Sequence, residues 1–304
     1  MSQADGDRWR VTFLDVGQGD SAVIELPDGQ TVLIDGGARY ERFDMGKHVI
    51  APFLWSRSIH HISHVIGTHQ QLDHVGGLIW VLRHMSVGEY WGGGIERSEK
   101  FVEDLKTTLR DRHIEQRTAV NGQDLLRSGQ CRLSILNPPE TSTVRESTQS
   151  PSGTLLNNLS IVSRLQCGTH SVLFAADIET AGLRQLNEEG YQPVTVLKVP
   201  HHGARSSLDL DWLRRLHPQY AVVSVGATNP YGHPVESVLQ AYRDQHSTVF
   251  RTDRDGAVWI TGRLSTSEFT VTSMRDLIRQ PVEFPHCLWR CEYQNWHRLF
   301  HQFS

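Results

Sequence analysis

The stretch between His69 and His74 holds the side chains best suited to chemistry. His69, Asp73 and His74 follow an apolar segment, 62–66, whose composition is typical of a strand. Neutral imidazoles and carboxylates are ligands that zinc, manganese and iron prefer in proteins. Two glycines come next, and they allow a following helix to pack close to the strand. The segment therefore predicts a metal site where a strand ends and a helix begins.

Further candidate ligands follow other predicted strands. Asp177 precedes a helical segment, so its carboxylate suits either a metal or the helix N-terminus, and the two roles are compatible. For His201 and His202 the alternative to a ligand role is a buried turn histidine with a satisfied hydrogen bond, and His202 is the preferred ligand. Asp35 ends a strand and is expected behind His69, where a carboxylate would fix the tautomer of a metal-bound imidazole.

The composition is that of a soluble globular protein. The chain has 304 residues, 38% of them hydrophobic and 21% charged, with a net charge of −4 and 17 histidines. This mildly negative charge excludes a generic nucleic-acid coat with a large positive field. No apolar run approaches the roughly 18 residues of a membrane helix, and the first residues lack the apolar core of a secretory signal. Four cysteines are too few for a disulfide scaffold, so Cys131 and Cys167 are expected to be buried small apolar residues.

The order of elements predicts two mixed sheets with helices outside. Strands are predicted at 11–16, 22–26, 31–34, 62–66, 131–136, 158–166, 170–174, 194–199, 220–225, 248–251, 257–260 and 267–272. Helices are predicted from residue 76 onward and at 97–112, 179–189, 209–216 and 235–245. Residues 137–156 are rich in Pro, Ser and Thr, and this composition predicts a long surface loop.

A series of short motifs extends the signal over most of the chain. In chain order they are FLDVGQGDS (13–21), LIDGG (33–37), HQQLDHVGG (69–77), NNLSIV (157–162), ADIE (176–179), LKVPHHG (197–203), NPYGHP (229–234) and RTDRDGA (251–257). Together these motifs resemble the metallo-β-lactamase superfamily, and within it the competence branch of ComEC-type DNA-uptake proteins. Their common order makes the resemblance much more specific than any single motif would be.

The resemblance implies an α/β (α+β) fold, the metallo-β-lactamase αββα sandwich, in which two mixed β-sheets pack face to face between flanking helices. The expected domain covers 11–275, after a lead-in at 1–10. The aromatic, histidine-rich segment 276–304 is expected to be a tail. Its cysteine and histidine spacing is too short for a usual zinc finger, so packing against the core or a partner is the favoured interpretation.

Three departures from the family pattern affect the expected metal site. Gln71 stands where the branch has Asp, and an amide is a weaker ligand than a carboxylate. Ala176 replaces a glycine before Asp177, and Asn157 and Asn158 stand where the superfamily as a whole has a histidine. The resemblance therefore implies one or two divalent ions, zinc or manganese. The firm position would be held by Asp73, His74, Asp177 and either His201 or His202, and the weak one by His69 and Gln71.

The resemblance implies a metal-dependent hydrolase that cleaves phosphodiesters in DNA during DNA uptake. Asp73 is expected to accept a proton from the attacking water, and His233 or Lys198 to stabilise the leaving oxygen. For His233 the alternative is a structural turn, and for Lys198 it is a strand lysine that points to solvent.

A further group of polar side chains is expected along the same edge. Asn157, Asn158 and Ser160 offer neutral hydrogen-bond donors to phosphate oxygens, with turn capping as the alternative. Asp15, Gln18 and Asp20 are expected to line the site, although the glycines between them also suit a simple turn.

Two other functions remain open. Gln71 favours a catalytically weakened module that only guides or binds DNA. A small-molecule hydrolase acting on a phosphoester, lactone or lactam would need a narrow, walled pocket, whereas an open groove would favour DNA. The sequence does not choose between these shapes.

The resemblance also implies partners and a location. The expected partners are DNA, in single-stranded form, and the membrane channel domain that full-length ComEC-type proteins carry. As part of such a protein, the domain would lie on the periplasmic or extracellular face of the inner membrane. As a complete chain, it would be cytoplasmic.

Overall fold

The computed structural model describes residues 6–94, 99–140, 152–188 and 192–279. The strands are β1 (Arg8–Phe13), β2 (Ala22–Glu25), β3 (Thr31–Ile34), β4 (His61–Gly67), β5 (Ser86–Gly92), β6 (Glu115–Thr118), β7 (Asp124–Ser128), β8 (Cys131–Asn137), β9 (Val162–Cys167), β10 (His170–Phe174), β11 (Val196–Lys198), β12 (Tyr220–Val223), β13 (Thr248–Arg251), β14 (Val258–Arg263) and β15 (Phe269–Ser273). The α-helices are α1 (Ala51–Ser56), α2 (Leu72–Val75), α3 (Leu78–His84), α4 (Lys100–Asp111), α5 (Gly153–Asn158), α6 (Thr180–Glu188), α7 (Leu210–Leu216), α8 (Glu236–Asp244), α9 (Thr252–Asp255) and α10 (Met274–Arg279).

The strands form two mixed sheets. The first has the order β15-β14-β1-β2-β3-β4-β5-β6, and the second has the order β13-β12-β11-β10-β9-β8-β7. In the first sheet, strands β3, β4, β5 and β6 run parallel to one another, and all other neighbouring strands pair antiparallel. In the second sheet β10 to β13 run parallel and β7 to β10 pair antiparallel.

Three apolar clusters define four layers. One lies between the sheets and includes Phe13, Phe174 and Val196. A second packs α1, α3 and α4 against the outer face of the first sheet, and a third packs α6, α7 and α8 against the second. The expected αββα sandwich is therefore confirmed. Helix α4 shows the cause most simply, because Val102, Leu105 and Leu109 lie on one face and are buried, whereas its charged side chains are partly or fully exposed.

Most of the predicted elements agree with the observed ones, but helices α1, α9 and α10 were not predicted. Strands β5, β6 and β7 were not predicted; β6, for example, has four exposed polar residues and thus no apolar pattern. Residue 158 ends helix α5, so the strand predicted at 158–166 begins only at 162. Of the predicted loop 137–156, residues 141–151 lie outside the described part of the chain, and α5 already begins at 153.

The two buried cysteines are bonded to each other. Cys131 and Cys167 face one another on the paired strands β8 and β9 and form a disulfide. The expectation that they are simply small apolar residues is therefore wrong, although both side chains are buried. A separation of 36 residues along the chain gave no sign that the two strands are neighbours.

The two ends of the predicted domain lie partly outside the described ranges. Strand β1 begins at Arg8, inside the predicted lead-in 1–10. Helix α10 ends at Arg279, and the rest of the predicted tail 276–304, including its cysteines and histidines, is outside the described residues. In the ranges that are described, no helix combines the length and the hydrophobicity needed to cross a membrane.

Candidate metal centre

Strand ends from both sheets meet at one edge of the sandwich. Asp35 follows β3 and His69 follows β4, which runs parallel to β3. Asp177, His202 and Ser224 follow β10, β11 and β12, which are parallel in the second sheet. Because parallel strands present their carboxyl ends at the same edge, the fold brings these distant residues together.

Asp35 sets the orientation of His74. The Nδ1 atom of His74 lies 2.8 Å from Oδ2 of Asp35, and both residues are buried. Thr68 donates its backbone N–H to Oδ1 of Asp35 at 2.8 Å and its hydroxyl to Oδ2 at 2.7 Å. A proton on Nδ1 leaves Nε2 of His74 with a free lone pair. The sequence placed Asp35 behind His69, but it contacts His74 directly and reaches His69 only through the Thr68 hydroxyl.

His69 and His202 are oriented in the same way. Nδ1 of His69 lies 3.0 Å from the Thr68 hydroxyl oxygen, whose own proton goes to Asp35. Nδ1 of His202 lies 2.8 Å from the carbonyl oxygen of Ser224, which can only accept. Both rings therefore donate from Nδ1, so Nε2 is the atom that a metal ion would bind once it carries no proton. In the described part of the chain, Nε2 of His69, His74 and His202 are all buried without a hydrogen-bond partner.

These three nitrogens face carboxylates. Nε2 of His74 lies 3.2 Å from Oδ2 of Asp177, and Nε2 of His202 lies 3.4 Å from the same oxygen. Nε2 of His202 is also 3.6 Å from Oδ2 of Asp73. In the described residues, four sets of three possible ligands each have atoms within 4.8 Å of one another. Two of them are His69, His74 and Asp177, and Asp73, His74 and His202; the other two include Asp20. Buried lone pairs without a donor are costly, and a nitrogen and oxygen set of this kind fits a divalent metal ion.

The cluster keeps its carboxylates ionised although burial opposes this. Burial would raise the pKa of Asp177, but His202 and His74 outweigh it and hold that pKa well below its usual range. His74 and His202 likewise lower the pKa of buried Asp73. Burial would lower the pKa of His202, but Asp177 in particular outweighs it and raises the value to about 10. Burial, together with neighbouring His74, lowers the pKa of His69 to about 3. A carboxylate as acidic as Asp73 suits a ligand better than the proton acceptor expected from the sequence.

The backbone is strained at the same place. Asp35, Ala176, His201 and His202 have φ values of 58°, 48°, 47° and 55°, in the left-handed region. Each such non-glycine residue costs about 1–2 kcal/mol, and strain of this kind is concentrated at functional sites. Ala176 stands where the family pattern has glycine, so the substitution noted in the sequence falls on a position that favours glycine.

Gln71 faces a second amide. Its Nε2 donates to Oδ1 of Asn157 at 2.6 Å, and Nδ2 of Asn157 donates to Oε1 of Glu179 at 2.9 Å. Glu179 Oε1 in turn lies 3.5 Å from Nδ1 of His201. Where the superfamily places charged ligands and a histidine for a first metal, this chain has a hydrogen-bonded pair of neutral amides.

His201 lies at the rim of the cluster. Its Nε2 is 3.7 Å from Oδ2 of Asp177, and its side chain is partly exposed, whereas His202 is buried. His202, and not His201, belongs to the sets of converging donors. The geometry thus favours His202 as the ligand of the pair.

Lys198 points into the protein. It lies two residues after Val196 in β11, so both side chains point between the sheets, and its ammonium group forms a close ion pair with Asp20. The same group donates to the carbonyl oxygen of Ala176 at 3.0 Å and lies 3.6 Å from Asp177. Lys198 is only 3% exposed. A solvent-facing side chain is therefore wrong, and the ammonium positions carboxylates instead of reaching a leaving oxygen.

Asp20, Asp15 and Gln18 have internal partners. Asp20 is paired with Lys198, and its backbone N–H donates to the carbonyl oxygen of Asp73. Asp15 accepts from the Gly17 N–H, and burial raises its pKa to about 7. Oε1 of Gln18 accepts from the Gly226 N–H at 3.3 Å. Asp20 thus belongs to the donor cluster, whereas the contacts of Asp15 and Gln18 are those of a loop.

Asn158 and Ser160 do not face the cluster as substrate donors. Oδ1 of Asn158 accepts from the N–H groups of Glu179 and Gly182 and so holds the start of α6. These contacts are those of helix capping, which was the alternative role for Asn158. Asp177 is therefore not needed to cap the N-terminus of α6. Ser160 is fully buried.

His233 lies beside His201 at the mouth of the cluster, with 5.9 Å between the ring centroids. Asn229 holds its backbone at both the N–H and the carbonyl oxygen. Partial burial, followed by His201 and His202, lowers the pKa of His233. The ring is therefore neutral at neutral pH and does not supply the positive charge that a phosphate clamp needs.

Three residues of the arrangement were not proposed from the sequence. Thr68 joins Asp35 to His69, and Glu179 extends the amide pair. Thr68 could have been found, because it stands immediately before His69 at a strand end. Ser224 acts through its carbonyl oxygen, for which residue type gives no signal.

Comparison with known proteins relates the chain to the metallo-β-lactamase superfamily. A family model of the metallo-β-lactamase superfamily matches residues 14–139. ComE operon protein 3 of Bacillus subtilis is 28% identical over 274 residues, which are 86% of this chain and 34% of that protein. Competence protein ComA of Neisseria gonorrhoeae is 29% identical over 78% of this chain and 31% of its own length. Residues 14–139 thus match the metallo-β-lactamase superfamily, and the chain is similar to relatives of the ComEC type.

The domain spans about a third of the length of these relatives. Recombination protein 2 of Haemophilus influenzae is also similar, at 27% identity over 82% of this chain and 28% of its own length. Among solved structures, the metallo-β-lactamase fold protein YhfI of Bacillus subtilis has a TM-score of 0.52 at 13% identity, over 84% of this chain and all of that one. Igni18, a metallo hydrolase of Ignicoccus hospitalis, has a TM-score of 0.51 at 12% identity, covering 82% of this chain and 98% of its own. The chain thus has a metallo-hydrolase fold.

Proposed function

We propose that this domain is a metal-dependent phosphodiesterase that acts on DNA. The observation that carries the proposal is the set of three buried imidazoles next to Asp73 and Asp177, each anchored through Nδ1 and each with a buried Nε2 that has no hydrogen-bond partner. Nothing in ordinary packing requires three such orphaned nitrogens at one point. A divalent ion would satisfy all of them.

The residues of this chain determine how a metal ion would be held and how its ligands are oriented. Asp73, His74, Asp177 and His202 would hold the ion, and His69 has a possible ligand atom within 4.8 Å of those of His74 and Asp177. Such an ion lowers the pKa of water and screens the negative charge that develops on a phosphodiester. Asp35 holds His74, Lys198 holds Asp20, and both keep the ligands oriented before any substrate arrives. His233, neutral and at the mouth, is the side chain placed to exchange a proton with a bound substrate.

DNA as the substrate is supported by the relatives. Two of them are named for competence or its operon, and a third for recombination. We also propose that the domain acts outside the cytoplasm, next to a channel domain. The Cys131–Cys167 disulfide supports this location, because disulfides persist mainly in oxidising compartments.

The test is cleavage of an end-labelled single-stranded DNA by the purified protein with Mn²⁺. Asp177→Asn and His202→Gln should each abolish cleavage, and both should also lower Mn²⁺ affinity in calorimetry. Asp211→Asn, which changes an exposed carboxylate on α7, is the matched control and should cleave normally. Absence of cleavage by the native protein with Mn²⁺ or Zn²⁺, despite measured metal binding, would refute the nuclease proposal.

A second function is favoured by the amide pair of Gln71 and Asn157. A domain that lacks a charged first position would bind DNA without cleaving it. This alternative predicts that Gln71→Asp creates cleavage where the native protein has none. Cleavage by the native protein would exclude it.

A further inference from the structure

The charged centre is surrounded by exposed apolar side chains. The exposed fractions are 53% for Tyr40, 37% for Leu72, 45% for Leu155 and 65% for Tyr231. Leu72, Leu155 and Tyr231 lie within two residues of Asp73, Asn157 and His233, respectively. Tyr40 interacts electrostatically with Asp73. The four exposed side chains come from four separate segments of the chain. A soluble domain gains nothing in stability by leaving large apolar groups in water. Their grouping around one charged point suggests a ligand that is charged in the middle and apolar on both sides.

Tyr231 continues a line of rings that leads out of the cluster. Its ring stacks on His233 with 5.9 Å between centroids and 20° between planes. His233 in turn lies 5.9 Å from His201. One face of Tyr231 is therefore supported, and its other surface is largely open to solvent.

Tyr40 lies on the loop that follows β3. Its backbone is fixed by a hydrogen bond to the carbonyl of Phe43 and by the bridge between Arg39 and Asp44. Partial burial, then the nearby Asp73 carboxylate and Tyr231, raise the pKa of the Tyr40 hydroxyl. The same loop packs against the turn that carries Asp73, because a Cβ on Gly76 would lie only 2.7 Å from the backbone nitrogen of Arg39.

We propose that Tyr40 and Tyr231 are stacking surfaces for the bases on either side of the phosphodiester that the centre holds. This inference rests on the proposed function and names its substrate as single-stranded nucleic acid. Bases in a duplex are already stacked on one another, whereas those of a single strand are free to stack on aromatic rings. A tyrosine ring accepts any base, so cleavage would be largely independent of sequence.

The charge distribution supports stacking as the source of affinity. The net charge is −4, and Arg39 next to Tyr40 already faces Asp44 and Asp104 at 3.6 and 3.8 Å. The chain therefore has no broad positive field that would attract phosphates. Affinity that comes from stacking depends only weakly on salt, unlike affinity that comes from counterion release.

The test compares two strands that differ only in their bases. Fluorescence anisotropy measures binding of a labelled, phosphorothioate-linked oligo-thymidylate and of an abasic strand of the same length, both with Mn²⁺. The native protein should bind the base-bearing strand more tightly. Tyr40→Ala and Tyr231→Ala should each weaken that binding roughly tenfold and leave the abasic strand unaffected. Tyr40→Phe and Tyr231→Phe should bind like the native protein.

Trp55→Ala is the matched control. Trp55 is 49% exposed on α1, and Arg57 two residues later pairs with Glu25 at the opposite end of the first sheet. Equal binding of the two strands, or no effect of either Tyr→Ala change, would overturn the stacking inference. Cleavage of ordinary DNA is measured separately. Stacking without cleavage would refute only the proposed nuclease activity. Cleavage without stacking would refute only the inference that Tyr40 and Tyr231 stack on bases.

Discussion

The imidazole Nδ1 of His74 donates a 2.8 Å hydrogen bond to Oδ2 of Asp35, and both side chains are closed to solvent. Asp35 also accepts two hydrogen bonds from Thr68, so its carboxylate holds the strand end and the histidine together. Partners of this kind fix the tautomer of a metal-binding histidine and increase its basicity. The quality of the metal site therefore depends on a residue that does not touch the metal.

We predict that Asp35→Asn weakens Mn²⁺ binding by about 10- to 100-fold, because one amide oxygen cannot replace a carboxylate that accepts three hydrogen bonds. Isothermal titration calorimetry of the metal-free protein measures this change. Asp28→Asn, in an exposed hairpin turn, is the control and should bind like the native protein. An unchanged affinity in Asp35→Asn would show that the hydrogen bond has no part in metal binding.

The amide pair leads to a prediction about stoichiometry. Gln71 is held by Asn157 and brings no charge to the first metal position. We predict that the native protein binds one Mn²⁺ firmly, and that Gln71→Asp raises the number towards two because a carboxylate compensates a second ion. Metal analysis after gel filtration gives the count. Gln70→Asp adds the same charge one residue away and should leave the count at one.

The sequence predicts the sandwich well because its strands and motifs follow one another in the family order. It does not reveal β6, whose four residues are all polar and exposed at a sheet edge. This strand forms because it pairs with β5, and not because its own residues show an apolar pattern. The disulfide could not be predicted from the sequence for a similar reason, because only the register of β8 and β9 brings Cys131 opposite Cys167.

Within the site, ligand types could be predicted and contacts could not. His74, Asp177 and His202 stand out because they follow strand ends. Lys198 was misjudged because a lone strand says nothing about which faces are covered, and β11 is covered on both. The contact of Asp35 with His74 likewise depends on where α2 begins, which is a matter of tertiary packing.

Protonation leads to a prediction about pH. Burial opposes charge on His74 and His202, but the surrounding carboxylates outweigh it and raise both pKa values, that of His202 to about 10. Both rings are therefore protonated at neutral pH in the metal-free protein, and a metal must displace these protons. We predict that Mn²⁺ affinity rises with pH, by up to about tenfold per unit for each proton released.

Calorimetry in two buffers of different ionisation enthalpy measures the proton count. His69, whose pKa is lowered to about 3, should contribute no proton. The His69→Gln variant should therefore release as many protons as the native protein, whereas His202→Gln should release one fewer. An affinity that does not change between about pH 6 and about pH 9 would contradict the assignment.

Gly19 leads to a prediction about stability. Its φ is +132°, and a Cβ there would lie 2.2 Å from the carbonyl oxygen of Asp73. We predict that Gly19→Ala lowers the free energy of unfolding by more than about 2 kcal/mol, because it adds a backbone clash to the conformational strain. Gly29→Ala, at φ +88° with nothing within 4 Å, should cost only about 1 kcal/mol. Urea denaturation followed by circular dichroism measures both, and equal losses would exclude the clash.

The disulfide leads to a prediction about redox conditions. Cys131 and Cys167 close a loop of 36 residues between adjacent strands. In the chain-entropy account such a crosslink stabilises the fold by about 3–4 kcal/mol. We predict that a reducing agent lowers the free energy of unfolding by that amount, measured by urea denaturation, and that the Cys131→Ser, Cys167→Ser double variant is less stable and insensitive to the reductant. A native protein whose stability does not respond to reduction would contradict both the contribution of the crosslink and its support for an oxidising location.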